Sequence, residues 1–166
     1  MQIYNLYKNM LYNASWRIFK NKQDAEDAVH DSFIKGFQKI HQIADDTNLG
    51  GWLKRIAINH SLDILRKRKR IWIDDIEIKD EEVEELFDEE NNTSIEFIKE
   101  CIDNLDEKYR IILILYLIED YNHREISEML QLKESTVRNQ FRRGKVKLLK
   151  LIQKNNTHEF KELHTR

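Results

Sequence analysis

The chain has 166 residues, no proline, 40% hydrophobic and 35% charged residues, and a formal net charge of −2. This composition suits one medium-sized or two small helical domains, and no apolar run is long enough to cross a membrane. The amino terminus lacks a secretion-signal pattern, and the single cysteine, Cys101, excludes an internal disulfide, so we expect a cytoplasmic protein with no membrane insertion.

The first part of the chain predicts three amphipathic helices. The first runs from Ile3 to about Phe19, and Asn21 is placed to cap a second one that reaches Ile40. A loop follows at residues 44–51, with Gly50 and Gly51 as helix breakers, and a third helix leads into the RKRKR run. The apolar side of the first helix comprises Ile3, Leu6, Tyr7, Met10, Leu11, Ala14 and Ile18. The apolar side of the third comprises Trp52, Leu53, Ile56, Ala57, His60, Ile64 and Leu65. We expect these helices to form a first domain over residues 1–72.

The remainder predicts an acidic linker and a second helical domain. Residues 73–93 hold eleven Asp and Glu against one Lys, with no sustained apolar period. The second domain, residues 94–154, begins with a short helix, and Asp106 then caps the strongly apolar stretch YRIILILYLI. Residues 155–166 look like a frayed tail. The predicted fold is therefore all-α: two small helical domains joined by an acidic linker, the second ending in a helix-turn-helix.

The helix-turn-helix over residues 123–151 is the strongest functional signal. Residues 133–154 hold eight Lys and Arg against one Glu, and Ser135 or Thr136 is expected to cap the second helix. Arg138, Arg142 and Lys145 share a face, with Asn139 beside it. A helix with one apolar face and one cationic, hydrogen-bonding face suits the major groove of duplex DNA. The alternative is an ordinary basic solvent face on a bundle helix.

A second cationic segment covers residues 52–72, with seven Lys and Arg against one acid. Trp52, Arg55 and Asn59 recur turn by turn before the basic run at residues 66–70. Cations interleaved with aromatic and amide groups are typical of a track for unstacked bases. Core packing is the alternative for Trp52, and a solvated helix end is the alternative for the basic run.

Four acids, Asp24, Glu26, Asp27 and Asp31, lie in the first two turns of the second helix. They either complement the helix dipole or form an anionic face that docks on a basic protein, and composition leaves both open. The six histidines fall at no metal-ligand spacing, and no glycine-rich phosphate loop occurs. We therefore expect no enzyme, no bound metal and no cofactor.

Three segments, in this order and spacing, resemble the ECF (extracytoplasmic-function) group of bacterial RNA polymerase sigma factors in the sigma-70 superfamily. They are DAEDAVHDSFIKGF, GGWLKRIAINHSLDILRKRKR and LDEKYRIILILYLIEDYNHREISEMLQLKESTVRNQFRRGKVKL. The resemblance covers about residues 3–150. It implies a subunit that binds core RNA polymerase and recognises the −35 and −10 promoter elements. Inhibition by an anti-sigma factor is common in the family, so such a partner is also implied.

The resemblance gives the candidate residues their roles. The −35 duplex would be held by Ser135, Thr136, Arg138, Asn139, Arg142, Arg143 and Lys145. The −10 single strand would be held by Asn48, Trp52, Arg55, Asn59, Arg66 and Arg68, with the loop around Asn48 holding a flipped-out base. The polymerase clamp would bind the face formed by Asp24, Glu26, Asp27 and Asp31. The acidic linker would pass near the RNA exit path.

Two positions depart from the family pattern. Asp106 follows Leu105 where the family usually has proline, and Gln131 stands in the turn where glycine is frequent. Gln131 must therefore accept a strained backbone, or the turn must adjust. The main rival interpretation is a stand-alone regulator of the LuxR type, against which the acidic helix before the second basic helix argues. A helical adaptor that binds no DNA is a more distant rival.

Overall fold

The computed structural model describes residues 2–44, 48–68 and 94–163, with side chains described as far as residue 154. Within these ranges the chain forms seven α-helices and one short 3-10 helix, and no strand. It divides into two compact units, Met1–Ile71 and Trp72–Arg166. The prediction of an all-α fold with two helical domains is confirmed. The acidic stretch at residues 73–93, Lys69, Arg70 and loop residues 45–47 lie outside the described residues.

The first unit is a three-helix bundle. Its helices are α1 (Gln2–Phe19), α2 (Lys22–Lys39) and α3 (Leu49–Arg68), with a 3-10 turn at Ile40–Gln42 after α2. Each of the three α-helices packs against the other two. The Asn21 side chain accepts the Asp24 amide hydrogen bond at 3.0 Å, which confirms the predicted cap of α2. One core cluster joins all three helices: Leu11, Val29, Phe33, Leu53 and Ala57.

The buried face of α3 differs from the predicted one. Ser61 is fully buried, and its hydroxyl is satisfied there because it donates to the Ala57 carbonyl at 2.7 Å and lies 3.2 Å from the Ser15 hydroxyl of α1. The face turned inward therefore centres on Leu53, Ala57, Ile58, Ser61, Leu62 and Leu65. The predicted members Trp52, Ile56, His60 and Ile64 lie at its edges and are only partly buried.

Two further expectations for the first unit are wrong. Gly50 and Gly51 are not loop breakers, because α3 already begins at Leu49. A Cβ at Gly50 would lie 2.7 Å from a ring carbon of Tyr7, so glycine allows α1 and α3 to approach closely at this point. Ile3 and Leu6 are 38% and 69% exposed, since the buried residues of α1 begin only at Leu11.

The second unit is built around one almost completely buried helix. Its helices are α4 (Ile95–Asp103), α5 (Glu107–Leu117), α6 (His123–Leu130) and α7 (Glu134–Leu163). Every residue of α5 from Tyr109 to Leu115 is buried, as its apolar sequence predicts. Helices α4, α6 and α7 all pack against α5, and α7 also contacts α4 and α6. Burial of α5 on all sides supplies the main hydrophobic contribution to this unit.

Three local expectations for this unit are corrected. Asp106 stands at the start of α5, but its carboxylate makes no capping bond and instead accepts one from Lys147 Nζ at 2.7 Å. Neither Ser135 nor Thr136 is a cap, because α7 begins at Glu134 and the Lys133 carbonyl accepts the Val137 amide hydrogen. The backbone of α7 is helical as far as Leu163, so residues 155–163 are not a frayed tail.

Of the two alternatives expected for Gln131, the turn between α6 and α7 shows the strained backbone. This residue adopts the left-handed conformation, with φ 57° and ψ 42°. The Leu132 amide then donates to the Ser127 carbonyl at 3.0 Å, which closes the end of α6. A non-glycine residue therefore occupies a position that glycine would occupy with less strain.

Candidate nucleic-acid interface

The helix-turn-helix starts from a reciprocal cap. The Asn122 side chain accepts the Glu125 amide, and the Glu125 carboxylate accepts the Asn122 amide, both at 3.0 Å. Asn followed three residues later by Glu, before an apolar helix, was a sequence signal for this cap that the sequence analysis missed. The cap fixes the start of α6.

An aromatic cluster holds α6 against α7. The ring of His123 stacks on Tyr116 at 4.7 Å and meets the edge of Phe141 at 4.9 Å, and Tyr116 and Phe141 lie 4.5 Å apart. Burial lowers the pKa of His123, and the positive charge of Arg138 lowers it further, although Glu134 acts in the opposite direction. The cluster therefore favours a neutral imidazole.

Helix α7 separates its buried and exposed residues cleanly. Val137, Gln140, Gly144 and Leu148 are buried. The opposite side is exposed and consists of Ser135, Arg138, Asn139 and Arg142, with Thr136 and Arg143 partly exposed beside it. The structure thus brings most of the proposed −35 residues together on one face.

Neighbouring side chains orient two cations of this helix. Glu134 Oε1 accepts from Arg138 Nε at 3.0 Å and from Nη2 at 2.6 Å. The Lys145 ammonium lies 5.9 Å from the Phe141 ring centre, beside the aromatic cluster. Both contacts restrict the side chains that would reach DNA.

Helix α7 is also held close to α5. The Lys147 ammonium pairs with Asp106 and lies 4.6 Å from the Tyr109 ring centre. Hydrogen bonding from Lys147 lowers the pKa of Asp106. A Cβ on Gly144 would lie 3.2 Å from Leu113 Cδ1 and 3.3 Å from Tyr109 Cβ, so the two helices approach closely here. The contacts of Lys147 with Asp106 and Tyr109 therefore hold α7 against α5.

On α3, the proposed −10 residues recur at helical spacing along one side: Asn48, Trp52, Arg55, Asn59 and Arg66. Asn48 precedes the helix, and its Oδ1 accepts the Gly51 amide at 3.0 Å. Within the part of the chain that the structure describes, the side chains of Trp52, Arg55 and Asn59 make no hydrogen bond or ion pair. Arg55 is exposed, while Trp52 packs against the first core cluster with part of its surface still open.

The last cations of α3 are paired with acids. Arg66 forms an ion pair with Asp63 one turn earlier. Arg68 Nη1 and Nη2 donate to the two carboxylate oxygens of Asp24 on α2, at 2.5 and 2.8 Å. These hydrogen bonds hold the pKa of Asp24 below its ordinary value. Arg68 therefore lies on the side of α3 that faces α2, and not on the side that carries Trp52, Arg55 and Asn59.

The four acids of α2 do not share one face. Asp24 and Asp31 both reach α3, the latter through a 3.0 Å contact with His60 Nε2, and Asp27 accepts from Gln23 at 3.1 Å. Glu26 pairs instead with Lys22 and lines a cleft on the α1 side with Tyr4 and Lys8. The structure thus groups Asp24, Asp27 and Asp31 and separates Glu26 from them.

A groove between α2 and α3 was not foreseen from the sequence. Its volume is about 330 Å³, and it is lined by Lys35, Lys39, Ile56, Asn59, His60 and Asp63. The available signal was the one-turn spacing of Lys35 and Lys39, which continues the row begun by Asp27 and Asp31.

In the described ranges no group of three or more His, Cys, Asp or Glu side chains could hold a metal ion. No helix described there has the length and apolar character needed to span a bilayer.

Comparison with known proteins defines the class. Residues 3–71 match the family model for sigma-70 region 2, and residues 97–148 match the one for sigma-70, region 4. The chain belongs to the sigma-70 family and, within it, to the ECF RNA polymerase sigma factors. Members of this family are regulatory factors of transcription initiation.

Relatives of known name support this assignment. The chain is 28% identical over 162 residues to the ECF RNA polymerase sigma factor SigW of Bacillus subtilis (strain 168), covering 90% of this chain and 87% of that protein. It is 28% identical over 146 residues to the RNA polymerase sigma factor SigV of the same strain, covering 87% and 85%.

A solved structure shows the same fold. The sigma factor RpoE, in a co-crystal structure with the anti-sigma factor NepR from Bartonella quintana, matches with a TM-score of 0.57 and 21% identity. The match covers 92% of this chain and 95% of that one.

Proposed function

We propose that this chain is a promoter-specificity subunit, not itself an enzyme, that binds core RNA polymerase and directs it to −35 and −10 elements in the cytoplasm. The observation that carries this proposal is the exposed face of α7, with Arg138, Asn139 and Arg142 opposite the buried side of the helix. The side chains of Trp52, Arg55 and Asn59 on α3, which have no hydrogen-bond or ion-pair partner among the described residues, support a second contact with the same promoter.

In the second unit, α7 would lie in the major groove of the −35 element. Arg142 and Arg138 offer the forked donors that suit guanine, and Asn139 offers the donor and acceptor that suit adenine. Ser135 and Thr136, in the first turn of α7, would place hydroxyl and backbone N–H groups near a phosphate. Arg143 and Lys145, which flank the exposed face, would contact the DNA backbone.

In the first unit, α3 would hold the melted strand of the −10 element. Arg55 would contact a phosphate, Asn59 a base edge and the open part of the Trp52 ring an unstacked base. Asn48 would help to hold a flipped base, although one lone pair of its side-chain oxygen is engaged with Gly51. Arg66 and Arg68 would contribute only after exchanging their carboxylate partners for phosphates.

The acids of α2 would bind a cationic surface of the polymerase. Asp27 is the proposed centre of this contact, because its hydrogen-bond partner Gln23 is neutral and its carboxylate forms no ion pair among the described residues. Asp24 and Asp31 flank it, with part of their charge engaged by α3. Glu26 would contribute at the periphery, since it faces α1.

We propose functional boundaries at residues 1–72 for region 2, 73–93 for the linker, 94–154 for region 4 and 155–166 for the tail. The acidic linker would pass near the RNA exit path of the polymerase, where its charge imitates nucleic acid. Joining two weak DNA contacts by a linker increases their combined affinity. An anti-sigma factor, the kind of partner named in the RpoE structure, is a proposed inhibitor.

The proposal is tested by co-purification with core RNA polymerase, followed by run-off transcription on a genomic promoter library. We expect a stable complex and transcription from a restricted set of promoters. An Arg138→Ala/Arg142→Ala double variant should bind core polymerase normally but lose −35-dependent initiation. Failure of the unaltered chain to bind core polymerase, together with specific duplex binding by the chain alone, would instead indicate a stand-alone regulator.

A further inference from the structure

The groove between α2 and α3 joins two lysines of α2 to the unpaired Asn59 of α3. We propose that this groove holds one unstacked nucleotide, with its phosphate on Lys35 and Lys39 and its base edge on Asn59. The inference rests on the proposed binding of a melted strand by α3 and extends that surface onto α2.

The position of Lys35 is set by a hydrogen-bonded chain. Its ammonium lies 2.5 Å from His60 Nδ1, and His60 Nε2 lies 3.0 Å from Asp31 Oδ2. Because an ammonium group can only donate, Nδ1 is the acceptor, and the ring proton resides on Nε2 and points to Asp31. The His60 side chain is only 11% exposed, and its hydrogen bond holds the Lys35 ammonium at the groove. Because that bond uses one ammonium proton, two remain for a ligand.

Two other polar groups of the groove, the Lys39 ammonium and the Asn59 amide, have no partner within the part of the chain that the structure describes. Among the described residues, neither Lys39 nor the Asn59 amide makes a hydrogen bond or ion pair. Asn59 is partly buried, and its unpaired amide leaves both its donor and its acceptor available to a ligand. Asp63 would repel a phosphate, but Arg66 compensates its charge while the two side chains remain paired, so occupation of the groove requires that Arg66 keep Asp63 and not exchange it for a promoter phosphate.

The volume of the groove and the groups that line it indicate the class of ligand that it binds. A cavity volume of about 330 Å³ is at the small end for ligand sites. Two ammonium groups suit a phosphate, the Ile56 side chain offers an apolar surface to a base, and the Asn59 amide can pair with a base edge. An inorganic anion would use the lysines alone. A base inside a duplex could not enter, because it would first have to leave its stack.

The test uses the full chain assembled with core polymerase. The probe is a duplex with a preformed bubble, and its bubble sequence is first selected by this holoenzyme from a pool with randomised bubbles. In the selected probe, each bubble nucleotide is then replaced in turn by an abasic one. We expect one position at which base removal weakens binding about tenfold. Asn59→Ala should weaken the intact probe similarly and abolish the further effect of base removal at that position.

Lys39→Gln should weaken binding to intact and abasic probes alike, and should reduce the slope of log affinity against log salt by about 0.7. Lys22→Gln, an exposed lysine at the other end of α2, is the matched control and should change neither quantity. The proposal is overturned if Asn59→Ala and base removal have independent effects at every position, or if Lys39→Gln behaves as Lys22→Gln. Failure of the unaltered chain to form a holoenzyme would refute the proposed function instead.

Discussion

Helices α3 and α7 are both rich in cations, but they present them differently. On α7 the exposed face lies opposite a continuous buried row, and the acid that orients Arg138 comes from the same helix. On α3 the exposed Arg55 is unpaired among the described residues, whereas Arg66 and Arg68 are bound to Asp63 and Asp24. Charge count therefore does not measure how much of a cationic helix is available to DNA.

The difference matches the two kinds of DNA contact that we propose. A duplex contact needs a stiff helix with side chains already directed outward, which α7 provides. On α3 the proposed contacts with a melted strand lie beside the acids of α2, and the Asp24–Arg68 pair links the acidic helix to the cationic one. Each unit contains an ion pair between helices, Asp24–Arg68 in the first and Asp106–Lys147 in the second, but Lys147 is not part of the exposed face formed by Ser135, Arg138, Asn139 and Arg142.

Charge reversal on α2 should have the largest effect. Asp27→Lys places a cation against the proposed basic surface of the polymerase, where like charges cost several kcal/mol. We expect core binding, measured by fluorescence anisotropy, to be lost while the second unit keeps its DNA affinity. Glu26→Lys, on the side facing α1, is the control and should reduce core binding much less. Equal effects of the two changes would contradict the separation of these acids.

Removing one exposed cation of α7 should cost about 1–3 kcal/mol in −35 recognition. Arg142→Ala is expected to weaken binding of the holoenzyme to specific promoters, measured by competition against mismatched duplexes. Core binding should not change, because Arg142 lies in the other unit. Lys150→Ala, also exposed on α7, should lower specific and non-specific affinity equally. Unchanged promoter selectivity in Arg142→Ala would refute the role assigned to this face.

Relieving the backbone of Gln131 should raise stability by about 1 kcal/mol. Gln131→Gly removes the side chain that disfavours φ 57° at the end of α6, and thermal unfolding should shift upward. Lys20→Gly tests the equivalent backbone strain in the first unit, where φ is 54°. There the gain should be smaller, because the Lys20 ammonium also lies 4.5 Å from the Trp16 ring centre. A larger gain at Lys20 would reverse this ranking.

The smallest predicted effect is a dependence of stability on pH. Burial lowers the pKa of His123 in the folded chain below the unfolded value of about 6.5. The unfolded chain therefore takes up the proton more readily, so stability is complete above that pH and falls as the pH drops through the folded pKa. His123→Phe keeps the aromatic contacts and should reduce this decline. Denaturant midpoints at about pH 7.5 and about pH 5.5 measure it; an equal decline in both proteins would contradict the assignment.

Local signals predicted most of the fold. The cap at Asn21 and the burial of α5 each depend on a few adjacent residues, so the sequence contains enough information for them. The strained backbone of Gln131 was expected only from the resemblance to a family in which glycine is frequent at that turn, with an adjusted turn as the alternative. The buried face of α3 could not be predicted in the same way. It depends on the partner that Ser61 finds in Ser15 of α1 and on the contact of Gly50 with Tyr7. Small or polar residues become core positions only when their partners are known.

The candidate sites show the same limit. The exposed row of α7 follows from its helical period, because it lies opposite the apolar one. The ion pair of Asp24 with Arg68 and the chain from Lys35 through His60 to Asp31 join residues distant in sequence. Periodicity within one helix contains no information about such contacts. For this reason the groove between α2 and α3 emerged only from the structure.

The close contact of Gly144 with α5 has a consequence for the evolution of promoter preference. A Cβ there would lie 3.2 Å from Leu113 Cδ1 and 3.3 Å from Tyr109 Cβ, so even alanine would displace these neighbours by a few tenths of an ångström. If α7 reads the −35 element as we propose, new base preferences would arise more readily by exchange of its exposed side chains than by a change in its packing. A residue larger than alanine at Gly144 would push α7 away from α5 and alter the approach of the helix to DNA without itself touching DNA.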